Sequence, residues 1–228
     1  IEDQLSDEER MVKDSTREFA QAQLSTRILE ANRSESFDRE IMNEFGEMGM
    51  LGATLPVKYG CSEVNYVSYG LIAREIERVD SSYRSAFSVQ PSLAMHAIYK
   101  FGSDEQKDFY LPDMAKGKKL GCFGLTEPNF GSNPGGMATR CSRDGDDWVI
   151  NGEKYYISGA GDPHCKVMIT MVKTSPDAEP FRQQSQILVP IDTPGVKILG
   201  PMHVFGDESA PHGHMPVSYT HLTLPTKA

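Results

Sequence analysis

The apolar residues of this chain change their period once, near residue 119, and that change limits what it can fold into. Before it they recur at three- and four-residue spacing; after it they alternate. Ser6-Asp7-Glu8-Glu9 has the form of a capping box, a Ser hydroxyl for the orphan N–H groups and an acid three residues on. Met11, Ser15, Phe19 and Ala22 continue one face of the helix it opens. Ile41, Met42, Phe45 and Met48 predict a second helix from Asp38, with Gly49 where a left-handed cap belongs. Pro56 to Gly60 reads as a loop, and Val67, Leu71, Ile72, Ile76 and Val79 mark a third helix. A fourth is expected over roughly 91–101, stopping at Gly102, and Ser103 to Gln106 caps a fifth that ends near Gly117.

From Leu120 onward the segments are short and rich in β-formers. Trp148-Val149-Ile150 follows a turn at Asp144 to Asp147, and Asn151-Gly152 carries a strong hairpin signal before Lys154 to Ile157. Residues 167–172, 186–189 and 196–199 predict further strands, and Thr174 to Gln186 is polar enough for an exposed loop. The class is therefore α+β: an α-helical domain over 1–118 and a β-domain over 119–215. Residues 216–228 break the pattern. Val217 to Thr226 contains no acid in an acidic chain and resembles a translated sequencing adapter, so it is expected to stand outside the fold as a non-native tail.

With 228 residues, 39% hydrophobic and 24% charged, the chain can bury one large or two modest cores. A net charge of -9 and a pI near 5.2 argue against nucleic acid or an anionic membrane as partner, because no Lys/Arg run is dense enough to offset that field. Cys61, Cys122, Cys141 and Cys165 show no Cys-x-x-Cys pairing, which disfavours a zinc site or disulfide scaffold and suits a reducing, intracellular setting. No apolar run is long enough to span a bilayer, and no secretory leader is present. Ile1 is not a start methionine, so the chain reads as a fragment.

The stretch from Cys122 to Asn133 concentrates chemistry. Thr126 offers a hydroxyl beside exposed backbone, Pro128 fixes the chain direction, and Gly131-Ser132 lets main-chain N–H groups and a hydroxyl approach an anion. As pattern alone it is equally a strand running into a Gly/Pro loop. His212-Gly213-His214 lacks a third ligand at metal spacing, and His96 reads as a hydrogen-bonded core histidine. No nucleophile elbow, P-loop or dinucleotide fingerprint is present.

Leu120-Gly-Cys-Phe-Gly-Leu-Thr-Glu-Pro128 resembles the flavin-binding signature of the acyl-CoA dehydrogenases. Through about Arg140 the chain is most similar to the glutaryl-CoA branch, in Arg27 to Arg33 and in Glu77-Arg-Val-Asp-Ser-Ser-Tyr-Arg-Ser-Ala86. Residues 141–215, with Asp144 to Gly152 and Ser158 to Cys165, look more like the phosphotransferase-linked branch, which suggests either a chimera joined near residue 140 or a natural divergent member. The resemblance implies an N-terminal helical domain, a barrel-like middle β-domain, and a C-terminal helical bundle that this chain lacks. It implies FAD as cofactor, an acyl-CoA substrate, electron-transfer flavoprotein as acceptor, a homotetramer, and a bacterial cytoplasm or mitochondrial matrix. Its general base is a glutamate of the missing bundle, so no catalytic residue is assigned here and the chain alone is expected to be inactive.

Carried over residue by residue, the resemblance gives Phe123, Gly124, Leu125 and Thr126 the polar edge of the isoalloxazine, and Gly131 and Ser132 the pyrophosphate. Tyr156, Ile157 and Ser158 stand where an aromatic ring and a hydroxyl meet the flavin. Ser132 is also a candidate for acyl-CoA contact. Arg84 and Ser85 are matched to the reading of a distal substrate carboxylate, for which a planar guanidinium fork is suited, with Glu77 seven residues back to moderate it. Two alternatives stay open: a dehydrogenase of medium, long or branched neutral acyl chains, and an inactive truncated piece.

Overall fold

In the computed structural model, which describes residues 2–202 and 214–225, Ser6 opens the first helix as its capping box requires. The Ser6 hydroxyl accepts from the Glu9 N–H at 3.2 Å, and the Glu9 carboxylate accepts from the Ser6 N–H at 2.8 Å. Helix α1 (Asp7–Phe19) follows, then a wide π-type turn over Ala20–Leu24, α2 (Ser25–Arg33), α3 (Glu40–Glu47), α4 (Tyr66–Glu77) and α5 (Ser81–Ser88). A second wide turn over Val89–Met95 leads to α6 (His96–Phe101) and α7 (Asp104–Ala115). The chain divides into two compact units, Ile1–Lys119 and Leu120–Ala228, and helices α1 to α7 lie in the first.

The expected buried face of α1 is not the one observed. Met11, Ser15 and Ala22 are exposed, whereas Lys13, Thr16, Ala20 and Leu24 are buried. Polar residues can occupy that face because their heads are satisfied: the Lys13 ammonium reaches Glu2 at 2.6 Å, and the Thr16 hydroxyl donates to the Val12 carbonyl. Helix α2 was not anticipated at all. Ile41, Met42 and Phe45 of α3 point into the core as predicted, and Gly49 takes φ 69° behind them. The Phe45 ring meets Phe87 edge-on at 6.0 Å, and each such buried ring contributes about 1.5–3 kcal/mol of transfer free energy.

The fourth predicted helix starts ten residues earlier than expected, at Ser81, because Asp80 caps it by accepting from the Tyr83 N–H at 2.9 Å. Pro91 lies inside the helical run. It has no N–H to give and would crowd the carbonyl four residues back, and the wider π-type bonding of Val89–Met95 accommodates it. Arg84 and Ser85 thereby sit on a helix.

The second unit is a seven-stranded sheet among the described residues: β1 (Leu120–Gly124), β2 (Arg140–Asp144), β3 (Asp147–Ser158), β4 (Cys165–Lys173), β5 (Gln184–Pro190), β6 (Val196–Ile198) and β7 (His214–Pro225). The order is β1-β4-β2-β3-β7-β6, with β5 on β4. Cys122, Ile150, Val172, Val189, Val217 and Tyr219 are among its core residues. Gly145, φ 60°, turns β2 into β3 between the paired Asp144 and Asp147, as expected.

Two expectations are corrected here. Asn151-Gly152 is no hairpin but the middle of a twelve-residue strand. Gly152 (φ 155°) is needed for close approach: a Cβ there would lie 2.4 Å from the Thr139 hydroxyl and 2.7 Å from the Thr139 Cα. Residues 216–225, expected outside the fold, continue β7, which pairs with β3 and with β6. Val217 and Tyr219 are both buried, so the segment's alternation, rather than its lack of acids, decided its place.

Candidate functional site

Strand β1 ends at Gly124, where a Cβ would come 3.3 Å from Cγ of Lys154 and 3.0 Å from the Met168 sulfur. Glycine leaves the Lys154 stem room to cross the strand end. Lys154 is fully buried, and its ammonium donates to the Leu125 carbonyl at 3.2 Å and to Glu127 Oε1 at 2.8 Å. The next carbonyl, that of Thr126, accepts from the Tyr155 N–H at 2.8 Å. Both carbonyls of Leu125-Thr126 are thus consumed inside the protein. Among the described residues no protein acceptor takes the N–H of either one. A stretch with spent acceptors and unspent donors presents a donor edge.

Glu127 anchors the loop behind that edge. Its Oε1 also accepts from the Thr139 N–H at 3.0 Å, and its Oε2 from the Ala138 N–H at 2.5 Å. Burial pushes the carboxyl up, but the Lys154 ammonium and the donors of Ala138 and Thr139 outweigh it and hold it below the ordinary carboxylate range. Burial draws Lys154 itself down against the pull of Glu127. Glu127 and Phe130 exchange backbone hydrogen bonds at 3.2 and 3.1 Å, closing a turn across Pro128. Gly131 and Ser132 beyond it are exposed, and a Cβ at Gly131 would meet open space.

At the far end of β3 the pairing with β7 slips. Lys154 faces Val217 and Ile157 faces Met215, three steps on one strand against two on the other. This bulge lets Lys154 and Ile157 both point inward. Tyr156 absorbs it with φ 59°, a left-handed conformation that costs a non-glycine residue about 1–3 kcal/mol, and the residue is 51% exposed. Phe123 and Ser158 are half-buried, and Ile157 is a core residue that offers only backbone.

In the helical unit, Arg84 donates from Nε to Glu77 Oε2 at 2.6 Å and from Nη1 to the Ser88 hydroxyl at 3.2 Å. Glu77 also accepts from the Ser81 hydroxyl at 2.7 Å; that bond and then Arg84 lower its carboxyl. Ser85 is half-buried, and its carbonyl accepts from Ser88. Sequence reasoning paired Glu77 with Arg84 but missed Ser81 and Ser88, which the helical spacing from each would have revealed. It also missed Lys154 and Glu127, whose signal is a Lys at a core-facing strand position and an acid in the loop before it.

His96 is half-buried beside Tyr99 and lines a cavity of about 190 Å³ with Thr54, Tyr66, Tyr69, Pro91 and Ser92. His212 and Gly213 lie outside the described residues. Among the described residues no cluster of three or more His, Cys, Asp or Glu could hold a metal ion, and no helix is long and apolar enough to cross a membrane.

Comparison with known proteins agrees with this architecture. Residues 6–118 match the family model described as acyl-CoA dehydrogenase, N-terminal domain, and residues 122–218 match the acyl-CoA dehydrogenase middle domain. The chain is 33% identical to a probable acyl-CoA dehydrogenase, YngJ, of Bacillus subtilis, over 89% of this chain and 53% of that protein. It is 43% identical to the probable acyl-CoA dehydrogenase FadE2 of Mycobacterium tuberculosis, over 58% of this chain and 32% of that one. A crystal structure of a glutaryl-CoA dehydrogenase from Mycobacterium smegmatis in complex with FADH2 superposes with a TM-score of 0.88 at 38% identity, covering 98% of this chain and 55% of that one. The chain thus spans about half the length of the Bacillus relative and of the glutaryl-CoA structure.

Proposed function

This chain belongs to the acyl-CoA dehydrogenase family, and from that premise we propose that it carries the flavin-holding and acyl-reading residues of a glutaryl-CoA dehydrogenase. The reaction is α,β-desaturation of glutaryl-CoA with loss of the distal carboxylate as CO2, giving crotonyl-CoA. Phe123 to Thr126, Gly131, Ser132 and Tyr156 to Ser158 would hold FAD, which would supply the hydride acceptor for the desaturation.

The observation that carries the reading is the donor edge at Leu125-Thr126, with both carbonyls tied down and, among the described residues, both N–H groups left over. Fixed main-chain donors stabilise negative charge gathering at the polar edge of an isoalloxazine without reorganising. Phe123 and Gly124 lead into that edge, Gly131 and Ser132 offer a backbone approach and a hydroxyl to a pyrophosphate, and Tyr156 and Ser158 supply a ring face and a hydroxyl. Arg84, oriented by Glu77 and Ser88, holds a distal carboxylate, with Ser85 beside it. The α-proton goes to a base that no residue of this chain is assigned to provide. The same reading brings electron-transfer flavoprotein as the electron acceptor and a homotetramer as the assembly.

Titrating the protein with FAD and following flavin fluorescence tests the cofactor; no saturable binding sinks the reading. One observation favours a second reading, a neutral acyl chain as substrate: Arg84 already has partners in Glu77 and Ser88. Equilibrium binding of glutaryl-CoA against neutral acyl-CoAs separates the two.

A further inference from the structure

We propose that Lys154 and Glu127 act as a buried positioning pair, which sets the donor edge of Leu125-Thr126 and the outward turn of Tyr156 and thereby governs flavin affinity from within the protein. The proposal rests on the flavin reading above and adds to it two residues enclosed in the fold.

The pair joins three stretches that are distant in sequence. Lys154 on β3 holds the Leu125 carbonyl and Glu127; Glu127 holds the amides of Ala138 and Thr139. Next to Lys154, the Tyr155 N–H holds Thr126, so consecutive β3 residues fix consecutive loop carbonyls. The register of those two contacts is the register of the bulge, because Tyr156 must turn left-handed directly after them for Ile157 to return to the core. With Lys154 at 0% and Glu127 at 4% exposure, neither side chain is open to a ligand. Their influence runs through the backbone they hold.

Stability alone is a poor account of such a pair. Desolvating two charges offsets most of their attraction, and replacing a buried pair by apolar or neutral groups is often neutral or stabilising, whereas removing one partner is strongly destabilising. What the pair supplies is geometry: a full ammonium on one particular carbonyl and a carboxylate on two particular amides.

The test is the double variant Glu127→Gln/Lys154→Met, which removes both charges together, in the protein that binds FAD. We expect FAD binding at least tenfold weaker, faster hydrogen exchange at the Tyr155 amide, and an apoprotein melting temperature at or above the parent's. Affinity within twofold of the parent, with Tyr155 exchange unchanged, overturns the proposal, as does an affinity loss that merely tracks a lowered melting temperature. If the double variant does not fold, Lys154→Arg keeps both charges but changes the reach and shape of the donor on the Leu125 carbonyl without altering a flavin-facing residue, and it too must weaken FAD; unchanged affinity overturns the proposal. A parent that binds no FAD defeats the flavin reading instead, and unchanged Tyr155 exchange in the variant then defeats the positioning role on its own.

Discussion

Replacing Arg84 by Met separates the carboxylate-reading role from a structural one, and the structure sets the size of the effect. A guanidinium has five N–H donors; Arg84 gives one to Glu77 and one to Ser88, leaving three for a ligand. A substrate carboxylate can therefore gain one or two charge-assisted bonds, each worth about 1.5–3 kcal/mol net. The Arg84 side chain is 36% exposed, so solvent screening places the total near the low end, about 2 kcal/mol. At 1.4 kcal/mol per factor of ten, that is a loss of about thirty-fold in affinity for glutaryl-CoA. A neutral acyl-CoA of similar length has no carboxylate to lose and should change by less than about threefold. The assay is equilibrium binding of both acyl-CoAs to the flavin-loaded Arg84→Met protein beside the parent. Equal losses on the two substrates would refute the reasoning, because a displaced helix α5 harms every acyl chain alike; no loss on either would refute it as well.

Gly152→Ala should destabilise the β unit by about 3 kcal/mol, because the added Cβ meets Thr139 backbone as well as side chain; a urea midpoint unchanged from the parent would contradict this. The depressed Glu127 carboxyl binds fewer protons than its unfolded counterpart, so its stabilisation is fully present above the ordinary Glu value of 4.5 and is lost as pH falls through the lower folded value. Acid unfolding curves should show this limb, and it should flatten in Glu127→Gln. All four thiols should resist a disulfide reagent at about pH 8 until the protein is denatured. Cys61 and Cys141 are buried and pushed up to about 11, and Cys122 is raised by the neighbouring Cys165 thiol and by burial. Fast labelling of the native protein would contradict that.

The α+β order was legible because periodicity is local. Ser6 and Ser103 announce their helices through contacts three residues away, and Gly145 turns β2 into β3 between paired aspartates. The failures share a cause, which is that distant partners overrode local signals. Gly152 reads as a turn residue until Thr139 packs on it from thirteen residues upstream in the register of β2 and β3. Lys13 reads as surface until Glu2 receives its ammonium, and Pro91 reads as a helix start until a π-type turn absorbs it.

The candidate site divides along the same line. The Gly124 to Ser132 motif marks where a ligand's polar edge could lie, since turn chemistry is written in the residues themselves. Which backbone groups remain available there is not written in them. The donor edge exists only because Lys154 and Tyr155, on a strand some thirty residues later, take the carbonyls of Leu125 and Thr126. A motif match alone would survive the loss of Lys154 unchanged, although the groups it offers would not. The partner of a motif on the neighbouring strand is therefore as much a part of the site as the motif, and a sequence that keeps Phe123 to Pro128 while replacing Lys154 should hold its cofactor less well.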